Sequence, residues 1–185
     1  MARYIDGNSW KHRNDLRSAR TADSRRKFET RKLTVMPQYK WEDLYISPFK
    51  QQRVYDADGN VSYVALEQEP LHTGIDLFDQ YIRYIAAGGS CTNAFAEKLG
   101  AKGEDFSSLV FLLTGMTLYD FRIAYQLRIA DDLLRYTDMA MPEVARRSGL
   151  GTPLNLYYIF KREYNIPPGR RRHELRKKDD LGRYK

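Results

Sequence analysis

The residues best suited to engaging a partner lie between Thr152 and Arg162, in the stretch TPLNLYYIFKR. On a wheel at 3.6 residues per turn, Leu156, Ile159, Phe160, Glu163 and Tyr164 fall on one side. Apart from Glu163, they form the core face of an amphipathic helix. Leu154, Asn155, Tyr158, Lys161 and Arg162 fall on the opposite side, with Tyr157 on the flank. A solvated helix face would not place Leu and Tyr beside two cations. The major groove of double-stranded DNA accepts that combination, because Lys and Arg neutralise phosphates while Tyr, Leu and Asn meet base edges and thymine methyls. Thr152 and Pro153 open the helix, where free N–H groups and the positive dipole end suit a phosphate. The competing expectation is that Leu154 and Tyr158 pack on another part of the same chain, such as its N-terminal arm.

Other chemistry finds less support. His12, His72 and His173 are far apart, Cys91 has no neighbouring histidine pattern, and no P-loop, G-x-S-x-G or H-E-x-x-H occurs. The chain is expected not to be an enzyme and to need no cofactor. Asp56, Asp58, Asn60, Ser62 and Glu67 occupy calcium-loop spacings, but Val61 stands where that loop needs glycine and the flanks read as strands. No metal site is expected.

Charge supports a polyanionic partner. The 185 residues carry a net +7, and residues 1 to 40 hold eleven Lys/Arg against four Asp/Glu. Residues 161 to 185 hold ten against four, while residues 41 to 160 hold ten against sixteen. An acidic middle between basic ends points to a partner touched by the ends. One cysteine cannot form an internal disulfide, the N-terminus has no apolar leader, and LVFLL is too short to span a bilayer. The expected location is the cytoplasm, with no membrane partner.

These side chains need rigid elements behind them. Residues 1 to 40 read as a basic, flexible arm with a short helix around NDLRSARTADSRRKFET. Residues 41 to 74 read as a short extension containing a β-hairpin, because β-branched and aromatic runs flank Asp58-Gly59-Asn60. After Pro70 the period becomes helical. Ile75, Leu77, Phe78, Tyr81, Ile82 and Ile85 share one stripe that stops at Gly88-Gly89. Further helices are expected at about 92–99, 103–113, 117–136, 141–148, 152–164 and 168–177.

The helical part repeats at about fifty residues. AFAEKLGAKGEDFSSLVFLLTGM lies over PEVARRSGLGTPLNLYYIFKREYNI, with Ala96 on Ala145, Gly100 on Gly149, Phe106 on Leu156 and Val110 on Phe160. Each copy reads as helix, glycine turn and helix. The second copy, V-A-x-x-x-G-L-x-x-x-x-x-L-x-x-x-F-K-R-x-Y-x-I-x-P, resembles the DNA-binding domain of AraC-type transcription regulators. Val144, Ala145, Gly149, Phe160, Lys161, Arg162, Ile166 and Pro168 carry the match, and TGMTLYDF with RIAYQLRIADDLLRYTDM is similar to the family's joining segment.

The resemblance implies a mainly α fold of two helix-turn-helix units over residues 75–178: a first unit at about 75–116, a linker helix at about 117–136 and a second unit at about 138–178. It also implies a bacterial regulator that binds specific double-stranded DNA, with recognition helices about 34 Å apart. The family's separate ligand-binding domain does not fit within the first 74 residues. In PPGRRRHELRKK, Arg170, Arg171 and Arg172 are expected near the phosphate backbone, with a solvated tail as the alternative after Glu174. Ala140 stands where the family has a Ser or Thr N-cap, which weakens that helix start by about 1 kcal/mol.

The first unit departs from this pattern. Shifted by fifty, the outward positions become Glu104, Asp105, Ser108, Phe111 and Leu112, whose carboxylates repel phosphates and whose apolar pair calls for cover. Lys102, Ser107, Ser108, Phe111 and Leu112 are therefore expected to make weak DNA contacts or to meet a partner: RNA polymerase, a second subunit or the N-terminal segment. The alternative for the whole chain is an AraC-like protein-interaction or nucleoprotein-assembly subunit that has lost operator binding.

Overall fold

The computed structural model describes residues 36–68 and 71–185; the short helix expected around NDLRSARTADSRRKFET lies outside them, as does most of the expected arm. A 3-10 turn at Trp41–Leu44 leads into an antiparallel hairpin, β1 (Gln51–Tyr55) and β2 (Val61–Ala65). Then come α1 (Asp76–Ala86), α2 (Thr92–Lys98), α3 (Gly103–Thr114), α4 (Leu118–Tyr136), α5 (Met141–Arg147), α6 (Pro153–Tyr164) and α7 (Pro168–Leu175). The described residues are mainly α with one hairpin ahead of the helices, as the periodicities lead one to expect.

The hairpin forms at the expected turn. Tyr55 pairs with Val61 and Gln51 with Ala65. One Asp56 carboxylate oxygen accepts the Asp58 and Asn60 N–H groups, and the other accepts the Asn60 side-chain amide. That carboxylate is committed to closing the turn, and its hydrogen bonds from Asn60 hold it below the ordinary aspartate range.

The fifty-residue repeat is a structural repeat. Phe106 and Val110 on α3, and Leu156 and Phe160 on α6, are buried, as are the crossing-point alanines Ala96 and Ala145. Both turns hold their glycine at positive φ, +73° at Gly100 and +76° at Gly149. α3 ends in the left-handed region at Gly115 and α6 does so at Asn165, the residue type other than glycine that tolerates it best. Thr117 caps α4 and Thr152 caps α6, each accepting the backbone N–H three residues on. Ala140 gives α5 no side-chain cap, as expected.

Between the units runs α4, buried on more than one face. Phe121, Ile123, Tyr125, Leu127, Ile129, Ala130, Leu133 and Leu134 all lie in the core. A 19-residue helix enclosed this way sets the position of both units. Gln126, also buried, donates through Nε2 to the carbonyls of Gly89 and Gly149, 3.1 Å each. One side chain of α4 therefore ties the loop after α1 to the turn of the second unit.

The segment before α1 is part of this body. Leu44 and Phe49 are buried, the Tyr45 hydroxyl donates to Asp132 (2.9 Å), and the Ile46 N–H donates to the Tyr125 hydroxyl (2.8 Å). Burial pushes the Asp132 carboxyl up, against the pull of Arg128 and Tyr45.

The tail after Glu174 also differs from a solvated basic run. The backbone N–H groups of Lys50, Gln51 and Arg53 donate to the carbonyls of Lys185 and Arg183, and Tyr184 stacks on Phe49. Arg135 bonds the buried Asp180 at 2.7 Å. The tail thus has specific anchors that its net charge hides. Arg135 holds the Asp180 carboxyl below the ordinary range. A group with a depressed folded pKa stabilises above its unfolded value, near 3.9, and loses that contribution as pH falls through the folded value. Replacing Asp180 with Asn is expected to cost about 2 kcal/mol at pH 7, discounted for the partly exposed arginine. Urea titrations of both proteins are expected to show that gap unchanged from pH 7 to about 5 and closing below about 4.

Candidate nucleic-acid interface

The face opposite the α6 core is open to solvent. Leu154 is 63% exposed, Tyr158 58% and Tyr157 42%, while Leu156 and Phe160 beneath them are fully buried. The two tyrosine rings meet edge to face, with centroids 5.7 Å apart at 75°. The alternative cover for Leu154 and Tyr158 is therefore not drawn from the described residues. Lys161 is exposed, its ammonium 3.5 Å from the Asn165 carbonyl.

At the helix start, Thr152 Oγ1 accepts the Asn155 N–H, and Pro153 has none to offer. The Leu154 N–H thus remains as a first-turn donor for an anion, while that of Asn155 is spent on the cap. The Asn155 side chain donates to the Leu150 carbonyl at 2.8 Å, bracing the turn.

Arg162 is not a free cation. It donates to the Tyr119 hydroxyl at 2.7 Å and to Glu163 at 2.6 Å, and lies 5.5 Å over the Tyr119 ring. Burial alone would lower its pKa; those two partners raise it instead. Arg162 thereby ties the end of α6 to the start of α4. No local period links Tyr119 to Arg162, which stand 43 residues apart.

The adjacent arginines of α7 divide in the same way. Arg171 makes a two-point pair with Asp131, 3.1 and 2.8 Å, and stacks 4.2 Å over Tyr164, whose hydroxyl donates to the same carboxylate. The hydrogen bond to Asp131 raises the pKa of Arg171, and burial raises that of the Tyr164 phenol. Arg170 stays at the surface, where it pairs with Glu174 one turn on.

On α3 the corresponding face is of another kind. Glu104 and Asp105 are exposed in its first turn, and the Ser108 hydroxyl donates back to the Glu104 carbonyl. Lys102 is exposed, Ser107 and Phe111 are half-buried, and Leu112 is 50% exposed. Pro37 lies against Gly115 at the end of this helix, and the N–H groups of Gln38 and Tyr39 donate to the Leu113 carbonyl.

These elements form two helix-turn-helix units carried on one linker helix. Among solved structures the chain is similar to the C-terminal domain of the two-component response regulator YesN from Fusobacterium nucleatum, at 20% identity over 52% of this chain and 93% of that one, with a TM-score of 0.47. It is similar to the C-terminal domain of AraT, a response regulator from Geobacillus stearothermophilus, at 21% identity over 54% of this chain and 84% of that one, TM-score 0.48. A third similar structure is the DNA-binding domain of AdpA, a global transcriptional factor, in complex with a target DNA, at 21% identity over 54% and 88%, TM-score 0.47. No protein-family model matches the chain, and no curated protein does. No helix among the described residues is long and apolar enough to cross a membrane.

Proposed function

We propose that the chain is a sequence-specific DNA-binding transcription regulator that reads the major groove mainly through α6. The observation that carries this reading is the outward face of α6, where Leu154, Tyr157 and Tyr158 stand in solvent beside Lys161 at the second-helix position of a helix-turn-helix. Leaving so much apolar surface in water beside a cation is costly for a face with no partner, and a base-pair edge beside a phosphate complements both parts. Arg170 and the Leu154 N–H add backbone contacts at either end. Arg162, Arg171 and Asn155 serve by holding α6, α7 and the turn in place.

The first unit offers α3 two exposed carboxylates where α6 offers Leu154 and Asn155. Its role is to complete the fold and to meet a protein, RNA polymerase or a second subunit, with little contribution to base reading. Selection of bound duplexes from a random pool is the primary test. An enriched sequence is expected, and Lys161→Ala is expected to weaken binding to it severalfold and to reduce the slope of log affinity against log salt by about 1. Failure to enrich any sequence, with α3 changes alone abolishing the biological association, favours the interaction-subunit reading.

A further inference from the structure

Base pairs differ in the groups they show the major groove, and proteins read guanine best with arginine and adenine with asparagine or glutamine. α6 carries one residue of each kind on or near its outer face, and the fold has engaged both. The Arg162 guanidinium is held by the Tyr119 hydroxyl and by Glu163. The Asn155 amide donates to the Leu150 carbonyl, which ties its nitrogen to the turn before α6 and disfavours turning it to an adenine edge. What remains facing outward is mostly apolar: Leu154 and Tyr158, more than half exposed, with Tyr157 fixed edge-on against Tyr158.

One base offers an apolar group in that groove. Thymine projects its 5-methyl there, and aliphatic or aromatic contact with it distinguishes thymine without a hydrogen bond. We propose that α6 selects its site by the 5-methyl groups of thymines packed against Leu154 and Tyr158, not by hydrogen bonds to guanine or adenine. Lys161, one turn beyond Tyr158 and two beyond Leu154, supplies the phosphate contact that seats them. This inference rests on the reading of α6 as the groove-entering helix and specifies its ligand: a short A·T-containing run with its methyls on the face that α6 meets.

Modified bases test it with the full chain. The probe is the duplex enriched from a random pool, together with versions carrying uracil at each thymine, which removes only the methyl, and 7-deazaguanine or 7-deazaadenine at each purine, which removes the N7 acceptor. Each methyl in contact is expected to be worth about fourfold in affinity, the value of one buried methylene. Uracil is thus expected to weaken binding at two or three thymines, while the deaza substitutions change little. Leu154→Ala and Tyr158→Ala are expected to abolish the uracil effect at the thymine each touches, while their helicity by circular dichroism stays that of the parent. Tyr158→Phe, which keeps the ring and loses the hydroxyl, is expected to retain the effect. Sensitivity to the deaza purines with none to uracil would overturn the inference and leave the DNA-binding reading standing. If no duplex is bound in preference to a scrambled one, the DNA-binding reading falls, and this inference with it.

Discussion

Gly149→Ala is expected to destabilise the chain by about 3 kcal/mol, while the same change at Gly100, its counterpart in the repeat, costs about 1 kcal/mol. Both glycines sit at φ near +75°, where any Cβ is strained, so the backbone term is shared. Their surroundings differ. A Cβ on Gly149 would lie 2.7 Å from Gln126 Nε2 and 3.0 Å from the carbonyls of Gly88 and Gly89, whereas around Gly100 there is open space. The carbonyls belong to the loop after α1, and Gln126 bonds both that loop and Gly149 itself. The larger side chain must either break those bonds or move the second unit away from α4. Thermal unfolding of the two variants side by side checks the ranking, and equal losses would show that close approach at Gly149 contributes nothing.

Asp131→Ala is expected to cost a similar amount, about 3 kcal/mol, because it strips a half-buried arginine of its partner. The Asp131 carboxylate accepts two bonds from Arg171 on α7 and one from Tyr164 at the end of α6, so its loss loosens both elements against α4. Removing Arg171 as well, as Met, is expected to recover part of the loss, since the uncompensated charge goes with it. Arg170→Ala makes the contrast: its pair with Glu174 is exposed, so stability changes by only about 0.3 kcal/mol. The expected consequence of losing Arg170 is weaker DNA binding. Urea unfolding of the four proteins separates the structural arginine from the surface one.

Much of this organisation was legible in the chain. Periodicity and the glycine turns placed every helix from Asp76 onward within about two residues, because amphipathic stripes and positive-φ turns are local signals. The repeat identified Phe106, Val110, Leu156 and Phe160 as equivalent core positions, and the wheel separated Leu154 and Tyr158 from them. Pairwise partners were not legible. Arg162 and Arg171 have the composition of phosphate contacts, but Tyr119 and Asp131, which hold them, stand 43 and 40 residues away on α4. No local pattern marks Gln126; the approach of Gly89 and Gly149 makes it a tie between units. The tail after Glu174 read as charge alone, whereas Asp180 and Tyr184 anchor it through contacts with Arg135 and Phe49 that no local pattern encodes.

The claim that α6 carries the base contacts and α3 does not is tested most directly by photocrosslinking. Benzoylphenylalanine replaces Tyr158 in one protein and Ser108, its counterpart on α3, in another, and each is irradiated on the selected duplex. Crosslinks to major-groove positions of the bases from residue 158, with none from residue 108, are the expected result. Base crosslinks from residue 108 and none from residue 158 would contradict the account.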